Sequence, residues 1–266
     1  MDAPIQIKPN HPYHLVDPSP WPIVGSLAVF LLALGAILMF RNITHFVFLG
    51  GVVLTLSTMF GWWYDVIKES KSDHSLIVRH GFRYGMVFFI ASEVMFFAAF
   101  FWAYLHAAIN PFETLGHIWP PQNINTPDPF DLPYYNTLLL LLSGTTITWA
   151  HHEMVEGKLK QALTMTLVTV GLGTVFLGVQ MIEYSEATFK LKDGIYPSTF
   201  YLATGFHGAH VFIGVCFLAT CAWRIHKQHF KSDDHFGFEA ASWYWHFVDV
   251  VWLFLFILVY WWGSAH

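Results

Sequence analysis

Residues 82–104 read FRYGMVFFIASEVMFFAAFFWAY, and this run decides the fold. At about 1.5 Å of rise per residue, a helix of that length crosses the roughly 30 Å hydrocarbon core of a bilayer with length to spare. Glu93 lies near its middle. A carboxylate at that depth costs about 3 kcal/mol by insertion scales. It is therefore either protonated or turned toward a polar, protein-lined cleft. A carboxyl so placed marks a functional site; the plainer alternative is a neutral side chain hydrogen-bonded to a neighbouring helix.

The rest of the chain is of the same kind. Of its 266 residues 55% are hydrophobic, 18% aromatic and only 12% charged, and its mean hydropathy is +0.46. Soluble domains carry about 25% charged residues, so the composition is that of an integral membrane protein. The net charge of −5, with no large basic cluster, argues against nucleic-acid binding. Cys216 and Cys221 sit in one apolar segment and point to different helix faces, as small packing residues rather than a disulfide or metal pair. No cleavable signal peptide is expected, because the first residues are polar and rich in proline.

The expected organisation is a proline-rich arm at 1–20, two membrane helices within 21–66, an inner-side loop at 67–81 and a five-helix bundle over 82–266. The arm holds Pro4, Pro9, Pro12, Pro18 and Pro20, which keep it extended. The apolar spans are 21–40, 46–63, 82–104, 134–151, 162–184, 199–223 and 239–262, seven helices in all. Between the third and fourth lies a long irregular outer loop, 106–133, punctuated by Pro120, Pro121, Pro127, Pro129 and Pro133. Ten of the 13 Lys and Arg residues fall on the side of the N-terminal arm. The positive-inside rule places the N-terminus inside and the C-terminus outside.

Four more ionisable residues lie deep in the spans. His207 and His210 are spaced i, i+3 on the sixth, and His246 and Asp249 are spaced likewise on the seventh, so each pair shares a helix face. They must point inward. One reading is a metal site built from both pairs, like the inward ligand sets of helical bundles. Another is a proton path through Glu93, for which Phe89, Ile90, Phe96 and Phe97 make poor company. A third is inter-helix hydrogen bonding, with His207 or His210 tied to a carboxyl on a neighbour. Lipid binding is a separate reading: Trp62 and Trp63 offer amphipathic rings at the interface, and Lys68 and Arg224 could pair with a lipid phosphate. His11 and His14 on the arm could exchange protons at the inner surface. A secondary transporter would be expected to show repeats or paired broken helices, and none is visible.

Six motifs, in order, resemble a known family: HPYHLVDPSPWPI at 11–23, MFGWWYDVIKES at 59–70, FRYGMVFFIASEVMFF at 82–97, LLSGTTITWAHH at 141–152, FYLATGFHGAHVFIG at 200–214 and HFGFEAASWYWHFVDVVWLFLF at 235–256. Together they look like subunit III of cytochrome c oxidase, of the aa3-type haem–copper oxidases, with a likeness running from about His11 to Gly263. The first helix pair favours the cytochrome c form over the quinol form.

The resemblance implies a non-catalytic core subunit of a complex that passes electrons from cytochrome c to oxygen and pumps protons. It implies no catalytic residue and no metal in this chain, with haem a and copper in partner subunits. It also implies two helices splayed from five by a V-shaped cleft filled with phospholipids. By likeness, Trp62, Trp63, Glu69, His74, His210 and Arg224 match headgroup-binding positions, joined by Lys68, and Glu93 matches the intramembrane carboxylate beside the cleft. His207, His246 and Asp249 become inter-helix polar groups. The implied partners are subunit I in direct contact, subunit II, accessory subunits and a respiratory supercomplex. The implied location is an energy-transducing inner membrane, the bacterial cell membrane being favoured over the mitochondrial one.

Overall fold

The computed structural model describes residues 18–70, 76–111, 118–121 and 124–264. Among these the chain is helical: α1 (Trp21–Phe40), α2 (Phe46–Glu69), α3 (Leu76–Ile109), α4 (Leu132–Val155), α5 (Leu159–Glu186), α6 (Ile195–His226) and α7 (Phe236–Leu255). α7 continues through a π-helical turn, Phe256–Trp261, into a last α turn, Trp262–Ser264. All but α1 overrun the expected spans, because backbone hydrogen bonding does not stop where apolarity does. The expected inner loop is shorter for this reason, as residues 67–69 and 76–81 are helical.

Six of the seven helices are long and apolar enough to cross a membrane. α4 is not among them. Its sequence carries Asn136, Thr137, Ser143, Thr145, Thr146 and Thr148, which lower its apolarity. Several of these hydroxyls are satisfied within the helix: Thr137 donates to the Pro133 carbonyl at 2.9 Å, Ser143 to Leu140 at 2.7 Å and Thr148 to Gly144 at 2.9 Å. The exposed faces of the helices are apolar, with Phe40, Phe46, Phe60 and Trp102 each at least 72% exposed. A surface of that kind in water would be an association site; in a bilayer it is ordinary.

The chain divides into two compact units, residues 1–82 and 83–266. In the first, α1 and α2 form a hairpin around the turn 41–45, where Asn42 takes φ +55°. The two backbones approach closely: a Cβ on Gly35 would lie 2.4 Å from the Phe48 Cα, and one on Gly51 2.6 Å from the Leu32 nitrogen. Small residues permit such contact between membrane helices. At the open end the Trp21 Nε1–H donates to Asp65 Oδ2 at 2.6 Å.

In the second unit α4 packs on α5, α5 on α6, α6 on α7, and α7 back on α4. Trp245 of α7 fills the middle. It is wholly buried, its Nε1–H donates to Ser143 Oγ at 2.9 Å, and its ring occupies the space a Cβ would need at Gly173 of α5 and Gly214 of α6. Between α3 and α4 Trp119 is buried between Tyr104 and Tyr196, each ring centroid 5.4 Å away.

The link between α4 and α5 has a simple cause. Gly157 takes φ +77°, and the amides of Gly157 and Lys158 bond back to the carbonyls of Met154 and Glu153. This is the paired C-terminal closure of a helix that ends on glycine. Gly157→Val is expected to cost about 1–2 kcal/mol, the left-handed penalty of a residue with a Cβ. The check is thermal unfolding in detergent, with Gly157→Asn expected to lose less.

Candidate functional site

Glu93 faces α6. Its Oε2 lies 2.9 Å from His210 Nε2, and the two side chains are only 22% and 12% exposed. The other ring nitrogen, Nδ1, lies 2.7 Å from the Phe206 carbonyl. A carbonyl only accepts, so Nδ1 carries a hydrogen and donates it. Glu93 Oε2 and His210 Nε2 then share one proton. The imidazole is held in an aromatic surround: Phe97 lies 4.8 Å away edge-on, Phe96 5.7 Å away, and Tyr244 is stacked at 6.4 Å. The phenylalanines that flank Glu93 in sequence thus serve as walls around its partner rather than as a gap in a relay.

This pair ties α3 to α6. Glu93→Ala is expected to cost about 1–3 kcal/mol by leaving a desolvated imidazole nitrogen. Glu93→Gln is expected to stay within about 1 kcal/mol, since an amide can donate to or accept from Nε2. Thermal unfolding in detergent separates them; equal losses would mean that charge, and not the hydrogen bond, holds the helices.

The two histidines of α6 part company despite their spacing. His207 is buried, packed edge-on against Phe176 of α5 at 5.7 Å and against Trp252 of α7 at 5.2 Å. On α7, His246 Nδ1 lies 3.8 Å from Asp249 Oδ2, while Nε2 lies 3.2 Å from Thr148 Oγ1 of α4. The four residues do not converge, and among the described residues no three His, Cys, Asp or Glu side chains gather as a metal site.

On the first unit, Trp62, Trp63, Lys68 and Glu69 lie on the last turns of α2 and are exposed. On the second, Arg224 in the last turn of α6 is partly buried, with its guanidinium 4.2 Å over the Phe230 ring and close against Gly237. His11, His14 and His74 lie outside the described residues.

Two polar features have no counterpart in the sequence reading. Arg83 of α3 donates from Nε and Nη2 to Glu239 Oε2 of α7 at 3.2 and 3.0 Å. Glu183 of α5 is buried, and its Oε1 accepts from Tyr260 at 2.6 Å and from Gln180 Nε2 at 3.2 Å. Asn136 of α4 joins through Gln180 Oε1 at 3.4 Å. The available signal was Gln180 and Glu183 three apart in the apolar stretch VFLGVQMIEY at 175–184, the same spacing that marked the pairs on α6 and α7.

A family model described as cytochrome c oxidase subunit III matches residues 11–264. Cytochrome c oxidase subunit 3 of Dugong dugon is 52% identical over 257 residues, covering 96% of this chain and 98% of the relative. That of Danio rerio is 51% identical over 256 residues with the same coverage, and that of Hippopotamus amphibius is 52% identical over 257. With half its residues shared across nearly its whole length, the chain belongs to the cytochrome c oxidase subunit III family.

Proposed function

We propose that this chain, as a subunit of a cytochrome c oxidase, supports the redox subunits rather than carrying redox chemistry itself. It binds structural phospholipids and steadies subunit I and its proton-uptake path. The observation that carries this is the match to oxidase subunits over 96% of the chain. In this reading all seven helices span, α4 included, because its hydroxyls spend their hydrogen bonds on their own backbone. The N-terminus lies on the inner side and the C-terminus on the outer. The complex transfers electrons from cytochrome c to oxygen, with haem a and copper in partner subunits, and pumps protons.

For lipid, the exposed Trp62 and Trp63 with Lys68 and Glu69 offer rings and polar groups at headgroup level on the first unit. His74 belongs to the same set. On the second unit Arg224 supplies a cation and His210 a polar edge; the pairing with Glu93 leaves His210 a positioning part rather than a free donor. Glu93, His207, His246 and Asp249 act as ties and packing groups between helices.

The test is to tag the chain, extract it in mild detergent and record the visible spectrum and composition of what accompanies it. A haem a band with larger subunits is expected. A colourless lone protein in repeated gentle preparations would refute the oxidase reading and turn attention to transport. Arg224→Ala should purify with the same subunits and less phospholipid per complex by mass spectrometry. Unchanged lipid would remove Arg224 from the site.

A further inference from the structure

One membrane-depth polar group faces away from the second unit. His246 lies ten residues after the start of α7, roughly 15 Å along it, and its side chain is 43% exposed. Trp149 of α4 and Val250 of α7, close by in sequence, are also exposed and apolar. Lipid chains against this face would leave the imidazole without a partner at a depth where that is costly.

The hydrogen bonding states what is missing. The Thr148 hydroxyl spends its hydrogen on the Gly144 carbonyl at 2.9 Å, so toward His246 it accepts, and Nε2 is the nitrogen that carries the ring hydrogen. Nδ1 is then a bare acceptor. Asp249 Oδ2 lies 3.8 Å from it, too far for a direct hydrogen bond, and Asp249 Oδ1 is buried with no hydrogen-bond partner. The exposed part of the patch, His246 Nδ1, is therefore an acceptor that wants a donor, with Asp249 at its edge. The gap between Nδ1 and Oδ2 suits a side-chain amide, whose two N–H hydrogens can serve both.

We infer that the α4/α7 face centred on His246 is covered by a membrane-spanning helix of a partner subunit, which inserts a hydrogen-bond donor between His246 and Asp249. Acyl chains have no donor to offer. A second copy of this chain would bring the same acceptors to the same place. The inference deepens the oxidase-subunit reading and rests on it, by naming the surface that holds the chain to its partner.

The test uses the intact complex, with a benzophenone amino acid replacing Val250 and illumination after gentle extraction. An adduct with a spanning segment of a larger subunit is expected. Adducts with lipid alone, or with a second copy of this chain, would overturn the assignment while the partner subunits in the same preparation kept the oxidase reading intact. A preparation without partner subunits would overturn both. His246→Asn retains an acceptor near the Nδ1 position and should hold the chain in the complex as the parent does. His246→Leu should be lost on detergent dilution about tenfold faster, the value of one hydrogen bond. Equal loss for His246→Leu and the parent would overturn the inference even if the adduct forms.

Discussion

Trp245→Ala is expected to cost about 3 kcal/mol or more, the loss usual for emptying a large buried site. The side chain is wholly buried and reaches three helices from a fourth. Its Nε1–H bonds Ser143 on α4, and its ring fills the notches left by Gly173 on α5 and Gly214 on α6. In lipid no water is excluded by this packing, so the stabilisation is dispersion and hydrogen bonding, both of which require close fit. A void between four helices cannot be filled by one neighbour moving. Trp245→Phe keeps most of the ring and leaves Ser143 still donating to Leu140, so it should lose about 1 kcal/mol. Gly173→Val tests the same fit from the other side. Its Cβ would meet the Trp245 ring at 2.4 Å, and overpacking of this kind costs about 1–3 kcal/mol. Thermal unfolding of the chain in detergent orders the three. A Trp245→Ala protein that melts with the parent would mean the ring is not the pin of the bundle.

Removing the chain from the complex is expected to leave the first turnovers unchanged and to shorten the life of the working enzyme several-fold. The chain contributes no redox group in this reading, so electron transfer starts without it. On the proposed supporting role, what is lost is a wall of helices and bound lipids holding the mouth of the proton path and the metal centres of subunit I. Loss of packing raises the frequency of local opening rather than changing the resting geometry. The measurement is oxygen uptake against number of turnovers, with and without the chain. Decay at the same rate in both preparations would end the stabilising role and leave membership of the complex untouched. Arg224→Ala should fall between the two if lipid is part of the wall.

The sequence alone determined the class and six of the spans. Apolarity over 20 or more residues is a local property, and a bilayer permits few ways of satisfying the backbone. The short turn after α1 was legible for the same reason. The spacing of His207 and His210 placed them on one face, and that was as far as it went. Whether one of two residues 60° apart on a helix meets α3 and the other α5 and α7 depends on how the bundle is rotated. So Glu93 and His210, distant in sequence, became a pair only in the folded chain, and His207 became packing. Glu183 escaped notice near the end of its helix because its partners come from the π-helical turn after α7 as well as from its own helix. Trp245 read as one aromatic among many; only the notches at Gly173 and Gly214, contributed by two other helices, make it a pin. Helices in a bilayer form from their own sequence, but their contacts are chosen by steric fit and hydrogen-bond matching between surfaces, which no single stretch of sequence contains.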